Sequence, residues 1–428
     1  MQTLRVADNR RWLVQADGTP FFWLGDTAWE LFHRLDREEA ADYLDNRSAL
    51  GFNVIQAVAL AEFDGLRVPN AYGHLPLLPD GQGGYDPRRP DSSGYWEHVD
   101  FIVTEAARRG LCIGLLPTWG DKYNQKWGQG PEVFNPDNAF DYGQWLGARY
   151  ERHPNIVWIL GGDRPLETEQ HRLVVRRMAE GLKQGDGGNH LLTFHPVGGT
   201  SSSRWVHDEA WLDFHMLQSG HGLERRSYRM VEADCGLTPV RPTLDGEPCY
   251  EDHPVNFKPE NGFYQAGDVR RALYWAVFAG GLGVTYGHHC VWSMTTEPSE
   301  YFPMTWRDAL NRPAATQVRH LRELLESVPF TTAAPDQELV PNPGEDLEYA
   351  AALSGEGFAL IYLPTNQPVE IPSHRLSQYS SAQWFDPKTG RRQDLDQEAL
   401  PAGGHQPGKP MALHPPLAEG PDWVLILQ

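Results

Sequence analysis

The stretch Asn155–Pro165, N-I-V-W-I-L-G-G-D-R-P, decides the fold. Ile156–Leu160 is an unbroken apolar run, partly β-branched, closed by two glycines and a proline. Such runs read as strands buried on both faces, which is what a parallel sheet requires. The glycines remove side-chain bulk where the strand ends, so a ligand can come close to the backbone. A carboxylate, Asp163, follows at once. A second stretch, Thr243–Tyr250 (T-L-D-G-E-P-C-Y), repeats the design, with Glu247 behind a glycine. Together the two segments predict a pair of acids converging at the mouth of a barrel.

Outward from this stretch the chain alternates. Strands are predicted over residues 21–26, 52–60, 111–119, 155–160, 191–196, 211–218, 242–247 and 283–286. Helical spacing fills residues 37–50, 96–109, 140–150, 167–184, 269–278 and 314–327. Residues 4–22 form a hairpin with Asp17-Gly18 at its turn. The Gly/Pro-rich segment from 61 to 93 is too long for a mere connection and predicts a lid or subsite wall. Eight strand–helix units, each dropping polar or aromatic residues at the strand's C-terminal end, give an α/β fold, a (β/α)8 TIM barrel. Beyond residue 328 helical periodicity stops and short strands appear near residues 347–353, 357–362, 369–371, 381–386 and 422–427. The expected division is a barrel over 1–335 and an all-β sandwich over 336–428.

Composition narrows the function. With 57 Asp and Glu against 37 Lys and Arg, the net charge is −20, which argues against nucleic acid or an anionic membrane as partner. The four cysteines are widely spaced, with no zinc or disulfide pattern. The N-terminus lacks the basic-then-apolar pattern of a leader, so a cytoplasmic location is expected. The 15 Trp, 16 Tyr and 17 Phe suit a cleft for sugars, whose faces are apolar and whose rims are polar.

In such a barrel function lies at the strand C-termini. Those ends hold Asp26, Gln56, Trp119, Asp163, His195, His215, Gln218, Asp245, Glu247, His288 and Trp292, with Trp29 just past the first. Glycoside hydrolysis needs two carboxyls, one to protonate the leaving oxygen and one to attack the anomeric carbon or activate water. Asp163 and Glu247 fit by position. Structural readings also exist: Asp163 as a helix cap or ion pair with Arg164, and Glu247 as half of a buried salt bridge. Asp245 lies two residues before Glu247, on the same side of an extended strand, and competes for the nucleophile's place or a sugar hydroxyl. Asp26, His195, His215, Gln218 and His288 are expected to hold hydroxyls, and Trp29, Trp119 and Trp292 the apolar sugar face. No metal site is expected, because strand one ends in Gly25-Asp26-Thr27 rather than a paired-histidine motif and no H-E-x-x-H occurs. No P-loop or dinucleotide turn occurs either, so no cofactor is expected.

Four stretches then carry a resemblance: P-F-F-W-L-G-D-T-A-W (20–29), N-I-V-W-I-L-G-G-D-R (155–164), L-D-G-E-P-C-Y-E (244–251) and W-F-D-P-K-T-G (384–390). The chain resembles the apiosidase-like glycoside hydrolases, family 140, which join a clan A-like TIM barrel to a β-sandwich bearing a collagen-binding label. The resemblance implies Asp163 as acid/base and Glu247 as nucleophile of a retaining mechanism, with apiose as the sugar. Clan A barrels ordinarily place Glu at the strand-four position. Asp is one methylene shorter, which the preceding glycines accommodate.

Overall fold

The computed structural model describes residues 2–79, 84–223, 226–395, 410–416 and 421–428. Eight parallel strands form the barrel: β1 (Trp23–Thr27), β2 (Val54–Val58), β3 (Cys112–Leu116), β4 (Ile156–Gly161), β5 (Leu192–His195), β6 (His215–Gln218), β7 (Thr243–Asp245) and β8 (Gly283–Tyr286). Their ladder runs β5-β4-β3-β2-β1-β8-β7-β6, with Gly25 opposite Val54, Val54 opposite Cys112 and Ile113 opposite Ile156. Every residue of β4 is buried, as a strand sandwiched between barrel interior and outer helices must be.

The ladder is interrupted between β5 and β6. There Asp213 N–H donates to Leu192 O at 2.9 Å, the Asp213 carboxylate accepts from Leu192 N–H at 2.8 Å, and Thr193 Oγ1 donates to Phe214 O at 2.7 Å. These bonds close the seam. They also explain why β6 starts at His215 and not at Trp211: the apolar residues before it line the seam without joining a ladder.

The helix behind β4 spans Glu169–Gly185 and is capped by Thr168, while its neighbour, Pro136–Tyr150, is capped by Asn135 with Pro136 in its first turn. That cap starts the neighbour four residues before the expected Phe140. The expected helix over 314–327 divides into Pro313–Gln317 and Arg319–Glu326. Among the described residues no helix is long and apolar enough to cross a membrane.

The C-terminal part builds an antiparallel sheet from Ala334–Pro335 and five longer strands. These are β9 (Ala351–Gly355), β10 (Phe358–Leu363), β11 (Ala382–Phe385), β12 (Arg392–Asp394) and β13 (Trp423–Leu427). A second pair, Val369–Pro372 with Pro410–Leu413, lies apart from it. The strand expected over 347–353 starts only at Ala351, because Asp346–Glu348 is a single 3-10 turn that exposes Leu347. The helix Ala266–Phe278 joins the two parts: Arg270 grips the buried Asp422 carboxylate at 2.6 and 2.7 Å, and Trp275 Nε1 donates to Tyr349 O at 2.7 Å.

Candidate active site

β4 leaves the barrel through three consecutive left-handed residues: Gly161 at φ 96°, Gly162 at φ 108° and Asp163 itself at φ 52°. A Cβ at Gly161 would stand 2.2 Å from His195 O, and one at Gly162 2.7 Å from Gly120 N. Only glycine fits either place, and an aspartate tolerates the third conformation better than most residues. The turn brings Asp163 N–H to His195 Nδ1 at 3.3 Å and aims the carboxyl into a cavity of about 920 Å³ that Glu247 also lines. Asp163 Oδ2 accepts from Arg164 Nη1 at 3.1 Å and from Trp127 Nε1 at 3.3 Å. Burial first, and then the nearby Glu247 charge, outweigh Arg164 and push the Asp163 carboxyl up to about 6. With 23% of its side chain exposed, it still meets solvent through the cavity.

Glu247 follows β7 and is nearly enclosed. His221 Nε2 donates to its Oε1 at 3.1 Å, and His195 Nε2 lies 2.9 Å from its Oε2 at an oblique angle. The tautomers follow from the opposite ring nitrogens. His195 Nδ1 receives the Asp163 N–H, and His221 Nδ1 receives the Tyr250 N–H at 3.4 Å, so both ring protons sit on Nε2 and face the carboxylate. Burial alone would raise this acid, but the two imidazoles prevail and hold it at about 2. One carboxyl thus keeps a proton to give in mildly acidic water, while the other is an anion throughout.

The sequence expectations sort by distance from the cavity. Trp29, Trp119, Gln218 and Trp292 line it with the two acids. Trp29 and Trp119 pack at 5.3 Å, Trp292 stacks on Phe63 at 5.3 Å, and Gln218 Oε1 is buried without a hydrogen-bond partner among the described residues. The remaining expectations of sugar contact are corrected, because those side chains stand behind the wall. Asp26 is sealed by Arg47 at 2.7 Å and Tyr43 Oη at 2.5 Å. Gln56 Nε2 reaches through the barrel to Gly246 O at 2.9 Å and so steadies the residue before Glu247. His215 faces His207 at 3.1 Å, and His288 binds Asp252 at 3.0 Å and caps the Cys290 N–H. Asp245 is fully buried and takes the Ser219 hydroxyl at 2.6 Å. It does not accompany Glu247, since the strand ends at Asp245 and its alternation ends with it. His195 touches the two acids and no open space. Asp163 does pair with Arg164, but the helix cap is Thr168.

His221, Trp127, Glu62, Tyr250 and Phe257 also line the cavity and were outside the strand-end census. The S-G-H-G run at 219–222, directly after β6, was the available signal for His221.

Two carboxyls poised in opposite senses over aromatic walls suit the cutting of a sugar acetal, and solved structures agree. A glycoside hydrolase family 5 protein from Bacteroides vulgatus shares 32% identity with a TM-score of 0.86, over 99% of this chain and 92% of that one. Another structure described as a glycoside hydrolase shares 32% with a TM-score of 0.87, over 100% and 96%. An α-amylase from Geobacillus thermoleovorans, at 12% identity and a TM-score of 0.58 over 95% and 98%, shares the fold alone. The protein is a glycoside hydrolase, and its substrate is therefore a carbohydrate. Among curated proteins none matches the chain. The chain belongs to the apiosidase-like family: the model described as "Apiosidase-like, catalytic domain" matches residues 7–332, and "Putative collagen-binding domain of a collagenase" matches 334–428.

Proposed function

We propose that this protein is a retaining glycosidase that releases apiose from plant-derived glycosides, with residues 1–335 catalytic and 336–428 accessory. The observation that carries the reading is the opposite poise of Asp163, at about 6, and Glu247, at about 2, in one cavity. Glu247 attacks the anomeric carbon as the bond to the leaving oxygen breaks, and Asp163 gives that oxygen its proton. Water then attacks the glycosyl–Glu247 ester, Asp163 takes the water's proton, and Glu247 leaves as carboxylate. His195 and His221 offer N–H groups to Glu247, which favours the anion at the start and the end of the cycle. Apiose is chosen on the family's description.

The test is hydrolysis of alkyl apiofuranoside, arabinofuranoside and glucoside, whose poor leaving groups need the acid, by wild type and Asp163→Asn. The reading expects the apioside to turn over fastest and the variant to lose the alkaline limb near pH 6. Preference for arabinofuranoside would replace the sugar, and an unchanged variant would remove Asp163 as the acid.

A further inference from the structure

A third carboxyl lines the cavity. Glu62 lies beyond β2, on a segment held at Leu60, whose carbonyl accepts from Trp119 N–H at 3.1 Å, and at Phe63. The Phe63 N–H donates to Glu30 Oε1 at 3.3 Å, the Phe63 ring stacks on Trp292, and the Arg34 guanidinium sits 4.8 Å from the same ring's centre. The Glu62 side chain itself has no hydrogen bond among the described residues. Its one ionic neighbour there is Arg164 Nη2 at 3.9 Å, too far to bond. Arg164 spends Nη1 on Asp163 O and Oδ2 and directs Nε at Gln125 O, while its Nη2, the nitrogen toward Glu62, makes no hydrogen bond among the described residues. A fixed backbone carrying an uncommitted carboxyl in the wall of a sugar cavity is arranged for a ligand and not for the fold.

We propose that Glu62 contacts the substrate, donating its carboxyl proton in a hydrogen bond to a hydroxyl of the sugar and so selecting glycosides that present one beside Asp163. The proposal rests on the glycosidase reading of the same cavity. The charges around Glu62 favour the protonated form. The charges of Asp163, Glu30 and Asp121 all act on it in that sense; Arg164 is shared with Asp163, Lys122 is bound to Asp121 at 2.7 Å, and Glu30 has His33 at 2.7 Å and Arg34 at 3.8 Å. Burial and then Asp163 push Glu62 up to about 8. Near neutrality it can therefore donate, which an ionised carboxylate cannot.

The experiment is kcat/KM against pH for the full chain with 4-nitrophenyl apiofuranoside, whose good leaving group needs little help from Asp163 and so uncovers a limb near 8. Wild type is expected to fall as pH rises through about 8, where Glu62 loses its proton. Glu62→Gln, which keeps a donor, should stay within about threefold of wild type and lack that limb. Glu62→Ala should lose about tenfold or more, mainly through KM, with a melting temperature at pH 7 no lower than that of wild type, because a carboxyl held above its ordinary range opposes folding there. Glu62→Ala equal to wild type, or the limb persisting in Glu62→Gln, would overturn the proposal. So would a shift of the limb near 6 on an alkyl apioside, which would mean that Glu62 acts on Asp163 through Arg164. Calorimetric binding of free apiose to Asp163→Asn gives a readout without turnover, and adding Glu62→Ala should weaken it about tenfold. A wild type that binds apiose through Glu62 yet hydrolyses no glycoside would sink the proposed function and keep the contact. Absence of both binding and turnover sinks both.

Discussion

The ends of β4 and β7 solve the same problem, presenting a carboxyl to one cavity, by different means. At β4 the backbone does the placing: three left-handed residues aim Asp163, and its polar partners are Arg164 and the largely exposed Trp127. At β7 neither Gly246 nor Glu247 is left-handed, and side chains from the end of β5, His195, and from the loop after β6, His221, enclose the acid. The first arrangement fixes position and leaves the proton on. The second removes the proton. Burial pushes both carboxyls the same way, so donors and not depth decide which becomes acid and which anion.

Removing the anion should cost most. Glu247→Gln is expected to lower kcat by about 10⁴-fold or more on every glycoside, since no nucleophile remains, as steady-state assays will show. Asp163→Asn should cost about 10²–10⁴-fold with alkyl or sugar leaving groups and far less with nitrophenyl. Its pH profile should also lose the alkaline limb near 6. A third variant attacks the backbone side of the comparison. Gly162→Ala places a Cβ 2.7 Å from Gly120 N at a strained φ, so denaturant unfolding should show a loss of about 1–3 kcal/mol, with activity falling as Asp163 is displaced.

The same comparison predicts stability effects of opposite sign. Asp163 has a folded pKa of about 6, above its ordinary value of 3.8, so its ionisation opposes folding. That cost is absent below the ordinary value and fully present above about 6, and Asp163→Asn should gain about 1–3 kcal/mol at pH 7 and almost nothing at pH 4. Glu247 is depressed from 4.5 to about 2, so its ionisation supports the fold above 4.5, and that support is lost as pH falls through 2. Glu247→Gln should therefore lose about 1–3 kcal/mol at pH 7. Urea melts of both variants at two pH values will decide.

The barrel was legible because long apolar runs such as Ile156–Leu160 admit few readings, and both acids were legible because a glycine precedes each. What escaped lay where local pattern carries no information. The residues before His215 are as apolar as a strand yet form the seam, because one carboxylate, Asp213, takes over the ladder's bonds. Asp26, Asp245 and His288 stand at or just past strand ends like the true lining, whereas His215 opens β6 at its other end. Their partners Arg47, His207, Asp252 and Ser219 come from other segments and keep them from the cavity. Glu62, Trp127 and His221 sit in loops past the strands, where no periodicity announces which way a side chain points.

The most direct measurement is intact-mass and peptide analysis of Asp163→Asn during reaction with 4-nitrophenyl apiofuranoside. Asparagine keeps the left-handed turn while slowing the second step, so a glycosyl ester should accumulate. The account predicts one added pentosyl unit on the peptide carrying Glu247. Turnover of the nitrophenyl glycoside with no adduct, or an adduct on any other side chain, would contradict it.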